Sequence, residues 1–194
     1  MTPRDAAPHP DVKLAASLAR DLDRAFERVV MLYEDRLFRF ATRFAGNALD
    51  GQEIAQDAFV RAYRALKTYD TGRIRSLALG PWLYRITLNT ARNRVRGKRL
   101  ASAPLDAAPE RAIDRQEEPD RRTLAHEAAR ELAAHIAALP LRYRAAVVLR
   151  YIEDLPYADI SAALEVPIGT LKANVHRGMA MLRERVKAAE GVCV

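Results

Sequence analysis

The sequence has few features of membrane, secreted or disulfide-stabilised proteins. It holds one cysteine, Cys193, so no internal disulfide can form. No apolar run approaches the roughly 20 residues that a membrane helix requires. The N-terminus carries proline, aspartate and histidine and lacks the apolar core of a signal peptide. We therefore expect a cytoplasmic protein without membrane insertion.

Motifs of catalysis and cofactor binding are also missing from the sequence. It contains no phosphate-binding loop and no dinucleotide fingerprint. His126-Glu127-Ala128-Ala129-Arg130 begins like the zinc motif HExxH, but Arg130 stands where the second zinc histidine would be. We interpret this stretch as a surface helix, and we expect no metal, no cofactor and no enzymatic activity.

The composition points to a folded protein with an anionic partner. Hydrophobic residues make up 49% of the chain, which is enough for packed cores, and the formal net charge is +7. A basic balance favours nucleic acid as the leading partner class. The alternative is a basic but otherwise ordinary cytosolic protein.

Segments rich in proline divide the chain into its predicted parts. Six of the ten prolines fall in residues 1–10 and 101–123, and the second stretch also holds six acidic and four basic residues. Such segments bury too little apolar surface to fold. With no alternating strand pattern, the sequence predicts an all-α protein of two small helical domains joined by a flexible linker. The predicted bounds are a disordered tail at 1–24, domains at 25–100 and 124–188, and the linker at 101–123.

The stretch from Leu155 to Arg185 has the pattern of two helices joined by a short turn. Ile160 and Leu164 lie on one apolar face, Val166-Pro167 interrupts the helix, and a second, basic helix begins near Thr170. This is typical of a helix-turn-helix. The alternative is an ordinary helical hairpin with a solvated basic face.

Two further helices carry unusual polar faces. The first helix, at 50–66, has an outer face with acidic and amide groups. The second helix runs from Trp82 to about Arg99. The surrounding stretch, residues 81–100, contains six lysines or arginines and no acidic residue. Asparagine pairs with base edges, arginine contacts phosphates or guanine, and nearby aromatic rings suit unpaired bases. For Trp82, burial in the core is the competing interpretation.

Three stretches, taken in order, resemble bacterial RNA polymerase sigma factors of the extracytoplasmic-function type. LDGQEIAQDAFVRAYRAL resembles the helix that binds the polymerase clamp. WLYRITLNTARNRVRGKR resembles the helix that recognises the −10 promoter element. LPYADISAALEVPIGTLKANVHRGMAMLR resembles the −35 helix-turn-helix, including Gly-Thr-Leu-Lys at its second helix.

The resemblance implies a specificity subunit without chemistry of its own, whose partners are core RNA polymerase, promoter DNA and an anti-sigma factor. It assigns polymerase binding to Glu53, Gln56, Asp57 and Arg61. It assigns −10 binding to Trp82, Asn89, Arg92, Asn93 and Arg96. It assigns −35 binding to Thr170, Lys172, Asn174, His176 and Arg177.

The sequence departs from the family pattern in two places. Ser161 and Glu165 stand where the family usually has alanine and glycine. A side chain in a left-handed turn costs about 1–2 kcal/mol, so we expect a rearranged turn. The loop from Asp70 to Pro81 is a few residues longer than usual.

One other function fits part of the chain. A stand-alone helix-turn-helix regulator that binds duplex DNA as a dimer would explain residues 155–187. It would leave the acidic helix and the Asn/Arg helix without a role.

Overall fold

The computed structural model describes residues 10–101 and 121–190, and every regular element in these ranges is helical. A π-helical turn, Val148–Ile152, follows α7 directly. The α-helices are α1 (Pro10–Leu18), α2 (Leu22–Ala45), α3 (Ala48–Thr68), α4 (Thr71–Arg75), α5 (Leu79–Ala101), α6 (Arg121–Ala137), α7 (Leu141–Val147), α8 (Tyr157–Leu164) and α9 (Ile168–Glu190). The predicted all-α class is confirmed for the described ranges.

The N-terminal domain, α1 to α5, is built on the apolar stripe of α2. Asp21 caps this helix by accepting a hydrogen bond from the Arg24 N–H, and Gly46 ends it in a left-handed conformation. The buried stripe recurs at helical spacing and packs against α3 and α5. Its members are Ala25, Val29, Tyr33, Leu37, Phe40, Ala41 and Phe44.

Helices α2 and α3 approach so closely that a glycine is required between them. A Cβ on Gly51 would lie 2.7 Å from the Cα of Thr42. That distance is shorter than van der Waals contact, and a backbone atom cannot move aside as a flexible side chain can. The sequence therefore fixes the α2–α3 distance at this point.

The prediction of a disordered tail to residue 24 is wrong for the described part of that segment, because α1 folds onto the domain. Leu14 and Leu18 are buried. The buried Asp11 carboxylate accepts a 2.6 Å hydrogen bond from the Tyr33 hydroxyl and a 3.1 Å bond from the Gly80 N–H. Burial and this carboxylate raise the pKa of Tyr33, so its hydroxyl stays a neutral donor. Residues 1–9 lie outside the described part.

The predicted loop at 70–81 contains a short helix. Asp70 begins α4 by accepting a 2.8 Å hydrogen bond from the Arg73 N–H. The guanidinium of Arg73 lies 3.7 Å from the centre of the Tyr69 ring. Helix α5 then begins at Leu79, three residues earlier than predicted, and buries Leu79 completely.

The C-terminal domain, α6 to α9, contains the predicted helix-turn-helix in α8 and α9. Leu171, Val175 and Leu182 of α9 are buried. At Gly178 a Cβ would lie 2.6 Å from the Val147 side chain and 3.3 Å from that of Tyr143. Glycine thus lets α9 cross α7 at close range.

The turn of this motif is not rearranged, contrary to our expectation. Glu165 itself takes the left-handed conformation, with φ 55° and ψ 42°. The Ser161 hydroxyl donates a 2.6 Å hydrogen bond to the carbonyl oxygen of Val166, and the Val166 N–H bonds back to the Ser161 carbonyl. The serine that departs from the family pattern therefore closes the turn.

The two domains pack against each other in one continuous core. Helix α5 contacts α8, and α2 contacts α6, α7 and the π-helical turn. A Cβ on Gly46 would lie 3.2 Å from the Cβ of Ala137, so the end of α2 also approaches α6 closely. Of the predicted linker at 101–123, residues 102–120 lie outside the described part, and 121–123 belong to α6.

Candidate nucleic-acid and partner interfaces

Helix α5 places the candidate −10 residues on one face. Asn89, Arg92, Asn93 and Arg96 are spaced at three and four residues, which brings their side chains to the same side of the helix. Asn89, Asn93 and Arg96 are exposed, and Arg92 is partly exposed. Arg96 donates a 3.3 Å hydrogen bond to the Asn93 side-chain oxygen. The face offers amide and guanidinium groups to a ligand.

Trp82 does not belong to that exposed face. Its ring is only 4% exposed and lies 6.2 Å from the ring of Tyr69. In this conformation no base could stack on the Trp82 ring, so the structure does not support direct contact between Trp82 and DNA. The ring belongs to the core instead. The ring instead packs beneath the partly exposed Tyr69.

Helix α3 places the candidate partner-binding residues on its outer side. Gln56, Asp57 and Arg61 are exposed, and the Glu53 side chain is 44% exposed. On the opposite side of the helix, Ile54, Ala58, Ala62 and Leu66 are buried against the domain core. The α3 face is therefore held rigidly and presents carboxylate groups to solvent.

Arg94 connects the α3 and α5 faces, which the sequence did not reveal. Its Nε donates to Asp50 Oδ1 at 2.7 Å, and its guanidinium also pairs with Glu53. Asp50 is only 4% exposed, and its second oxygen accepts a 2.7 Å hydrogen bond from Asn47. The hydrogen bond to Asp50 raises the pKa of Arg94. The charge of Arg94 is thus paired with carboxylates of α3, and Arg94 holds Glu53 in place.

Helix α9 presents its first turns to solvent. Thr170, Lys172, His176 and Arg177 are exposed, and Asn174 is partly exposed. The buried Leu171 and Val175 fix the rotation of the helix by packing into the domain. The Arg177 guanidinium near the Tyr143 hydroxyl lowers the pKa of Tyr143, and Arg142 donates a 2.8 Å hydrogen bond to the same oxygen. This surface is basic and stands at the start of the second helix, where such motifs contact DNA.

Known families match both domains. The sigma-70 region 2 model matches residues 29–100, and the sigma-70 region 4 model matches residues 129–182. The ECF RNA polymerase sigma factor SigW of Bacillus subtilis is 31% identical over 172 residues, which cover 84% of this chain and 89% of the relative. This chain belongs to the extracytoplasmic-function sigma factors.

Two further relatives of this sigma factor agree with the assignment. The RNA polymerase sigma-H factor of Pseudomonas aeruginosa is 34% identical over 175 residues, covering 86% of this chain and 89% of the relative. The structure of CnrH in complex with the cytosolic domain of CnrY matches with a TM-score of 0.68 at 26% identity. That match covers 92% of this chain and 97% of CnrH.

Among residues 10–101 and 121–190, no three His, Cys, Asp or Glu side chains are grouped so that they could hold a metal ion. None of the helices described there is both long and apolar enough to cross a membrane. The candidate interfaces of the sigma factor are the polar faces of α3, α5 and α9.

Arg94→Ala should lower the free energy of unfolding by about 1–3 kcal/mol, because it removes a charged donor from the buried Asp50 carboxylate. Arg92→Ala is the matched control: it also removes an arginine from α5, and it should change stability by less than about 0.5 kcal/mol. Urea titrations of both variants measure the difference. Equal stabilities would show that the Arg94 pairs contribute nothing to the fold.

Proposed function

We propose that this protein binds core RNA polymerase, recognises the −10 and −35 promoter elements and promotes transcription initiation. The observation that carries the proposal is the presence of three exposed polar faces, on α3, α5 and α9, in a chain that belongs to the sigma factors. Each face lies on a helix whose other side is buried, so each is held in a fixed orientation. The protein acts as a specificity subunit and has no chemistry of its own.

The α3 face binds the polymerase. Gln56 and Asp57 are exposed, and Glu53 is held beside them by Arg94. An acidic surface of this kind complements a basic surface on the partner, which speeds association and selects the partner. Arg61 lies one turn after Asp57 and limits the net charge of the surface.

The α5 face binds the −10 element as an unpaired strand. Extruding a base from duplex DNA costs a few kcal/mol, and phosphate and base contacts must offset that cost. Arg92 and Arg96 supply cations, while Asn89 and Asn93 supply paired donor and acceptor groups. The partly exposed ring of Tyr69 packs on Trp82 in the first turn of this helix and lies beneath Arg73.

The first turns of α9 enter the major groove of the −35 element. Lys172 and Arg177 suit phosphate or guanine, and Asn174 suits adenine. Thr170 and His176 are exposed in the same turns. The Arg177 guanidinium lies near the Tyr143 hydroxyl of α7.

The protein works in the cytoplasm, where the polymerase is, and an anti-sigma factor controls it. Support for a protein partner comes from CnrH, a relative solved in complex with the cytosolic domain of CnrY. The match to CnrH covers 92% of this chain with a TM-score of 0.68, which supports a protein partner of the same kind. The dimeric regulator is less favoured, because it leaves the α3 and α5 faces without a ligand.

Asp57→Arg should weaken binding to core polymerase by roughly tenfold or more, because a reversed charge meets a basic partner surface. Asp35→Arg, which reverses an exposed acid on α2 instead, is the control and should bind normally. Titration of labelled protein with core polymerase measures both affinities. Wild-type protein that binds no polymerase would refute the proposed function, and an unaffected Asp57→Arg variant would refute the α3 assignment.

Arg177→Ala should reduce transcription from a promoter with a matched −35 element, because the variant loses about 1–3 kcal/mol of DNA-binding free energy. Arg185→Ala, two turns further along α9, should have a smaller effect. Run-off transcription with matched and scrambled −35 sequences provides the comparison. An equal loss on both sequences would make Arg177 a phosphate contact rather than a base contact.

A further inference from the structure

Helix α5, which carries the candidate −10 face, begins without a capping side chain of its own. The residue before its first turn is Ala78, whose carbonyl oxygen accepts a 3.0 Å hydrogen bond from the Trp82 N–H. The first N–H groups of a helix have no partner within it, and a serine, threonine, aspartate or asparagine at this position usually binds one of them. Alanine has no side-chain acceptor, so a protein cap for α5 must come from another part of the chain.

The acceptor comes from α1, which is distant in the sequence. Asp11 Oδ2 accepts a 3.1 Å hydrogen bond from the N–H of Gly80, the second residue of α5. Pro81, the next residue, has no N–H that requires a partner. The Asp11 carboxylate therefore takes the place of the missing cap. Its negative charge is also favourable at the N-terminal end of a helix.

The Asp11 carboxylate is held in place by the domain around it. Its Oδ1 atom accepts a 2.6 Å hydrogen bond from the Tyr33 hydroxyl of α2, and Asp11 is only 9% exposed. Gly80 leaves room for the approach, because a Cβ there would lie 3.2 Å from Asp11 Oδ2 and 3.0 Å from the Tyr33 hydroxyl oxygen. Leu14 and Leu18 of α1 are buried as well. The cap is thus fixed by α1 and α2 together.

The capped end of α5 lies beside the segment that joins α3 to α5. Helix α1 contacts α4 as well as α5, and Ile74 of α4 is buried. The partly exposed Tyr69 ring lies 6.2 Å from the ring of Trp82 in the first turn of α5, and Arg73 lies over the Tyr69 ring. Movement of this first turn would therefore shift an aromatic and a cationic group at one end of α5.

We propose that Asp11 is a positioning residue for −10 binding: it caps α5 from α1 and so fixes the first turn of α5 together with Tyr69 and Arg73 beside it. Because Asp11 is buried, it acts through α5 and not by contact with DNA. The proposal rests on the proposed function, since it concerns binding of the −10 strand by α5. It also gives α1 a role in that function.

The effect of the cap should be confined to one end of the −10 surface. Helices fray at their ends, and Arg96 lies roughly 24 Å along α5 from Gly80, at about 1.5 Å per residue. Contacts near Tyr69 and Arg73 should depend on the cap more than contacts near Arg96. Without the cap, bases at one end of the −10 element should lose recognition and those at the other end should keep it.

Amide hydrogen exchange in the free protein tests whether Asp11 caps α5. Asp11→Ala should speed the exchange of the Gly80 and Trp82 N–H groups by about two- to thirtyfold, the range that corresponds to the loss of a capping side chain. The N–H of Arg92, in the middle of α5, should change less. Exchange at Gly80 and Trp82 that stays at the wild-type rate would overturn the cap and the proposal with it.

Two substitutions restore or keep the cap and separate it from other effects of Asp11. Ala78→Asp, added to Asp11→Ala, places a carboxylate at the usual cap position of α5, where it can accept from the Gly80 N–H. Ala78 is exposed, so the new side chain has room. Asp11→Asn keeps an oxygen acceptor at position 11. Both variants should exchange more slowly than Asp11→Ala alone, and failure of both would show that capping is not what Asp11 contributes.

Tyr33→Phe is the matched control for stability. It removes the other hydrogen bond of the Asp11 carboxylate but leaves the bond from the Gly80 N–H. The variant should therefore unfold at a lower urea concentration and keep its affinity for the −10 strand.

Binding of a fluorescent single-stranded −10 oligonucleotide by the complex of this protein with core polymerase tests the positioning role. Asp11→Ala should lower this affinity by about two- to thirtyfold and leave the affinity for core polymerase unchanged. Ala78→Asp should restore it. Oligonucleotides with one substituted base each show where recognition is lost, and the affected bases should be neighbours at one end of the element.

The outcomes separate the proposal from the proposed function. If Tyr33→Phe weakened oligonucleotide binding as much as Asp11→Ala, general destabilisation would explain the effect and the proposal would fail. It would also fail if Asp11→Ala exchanged quickly at Gly80 but bound the oligonucleotide like the wild type. Wild-type protein that binds no core polymerase would refute the proposed function and the positioning role together, whereas the exchange rates would still show the cap.

Discussion

The burial of Glu153 between the domains is the constraint on which the described structure depends. The carboxylate belongs to the C-terminal domain, but its hydrogen-bond donor is Tyr84 of α5 and its nearest cation is Arg39 of α2. Because an enclosed charge without these partners would be costly, the position of the C-terminal domain is tied to the core of the N-terminal one. Tyr84 in turn packs edge-on against Phe40, at 5.5 Å between ring centres.

Much of the fold follows from local sequence patterns. The stripe of α2 from Val29 to Phe44 and the helix-turn-helix from Tyr157 onward depend on residues three or four positions apart, so periodicity finds them. The same spacing placed Asn89, Asn93 and Arg96 on one exposed face. The functions of these faces are inferred from the family, and the roles of single residues stay predictions.

The features that the sequence did not predict join distant residues. Arg94 and Asp50 are 44 positions apart, and Tyr84 and Glu153 are 69 apart. No periodicity within one helix reports such pairs. Helix α1 was missed for the same reason. The three prolines among the first ten residues suggested a tail, whereas Asp11 bonds to Tyr33 and Gly80, which are distant in the sequence. Likewise, Glu165 in the left-handed turn pairs with Arg85, which lies 80 positions away on another helix.

Transcription with purified core polymerase tests most directly whether this protein supplies promoter specificity. The template carries a promoter with both the −10 and the −35 element, and matched templates carry one scrambled element each. The account predicts that transcription starts at one defined site only when the protein is added, and that scrambling either element reduces it. Transcription that starts at the same site without the protein, or that is unaffected by both scrambled elements, would contradict it.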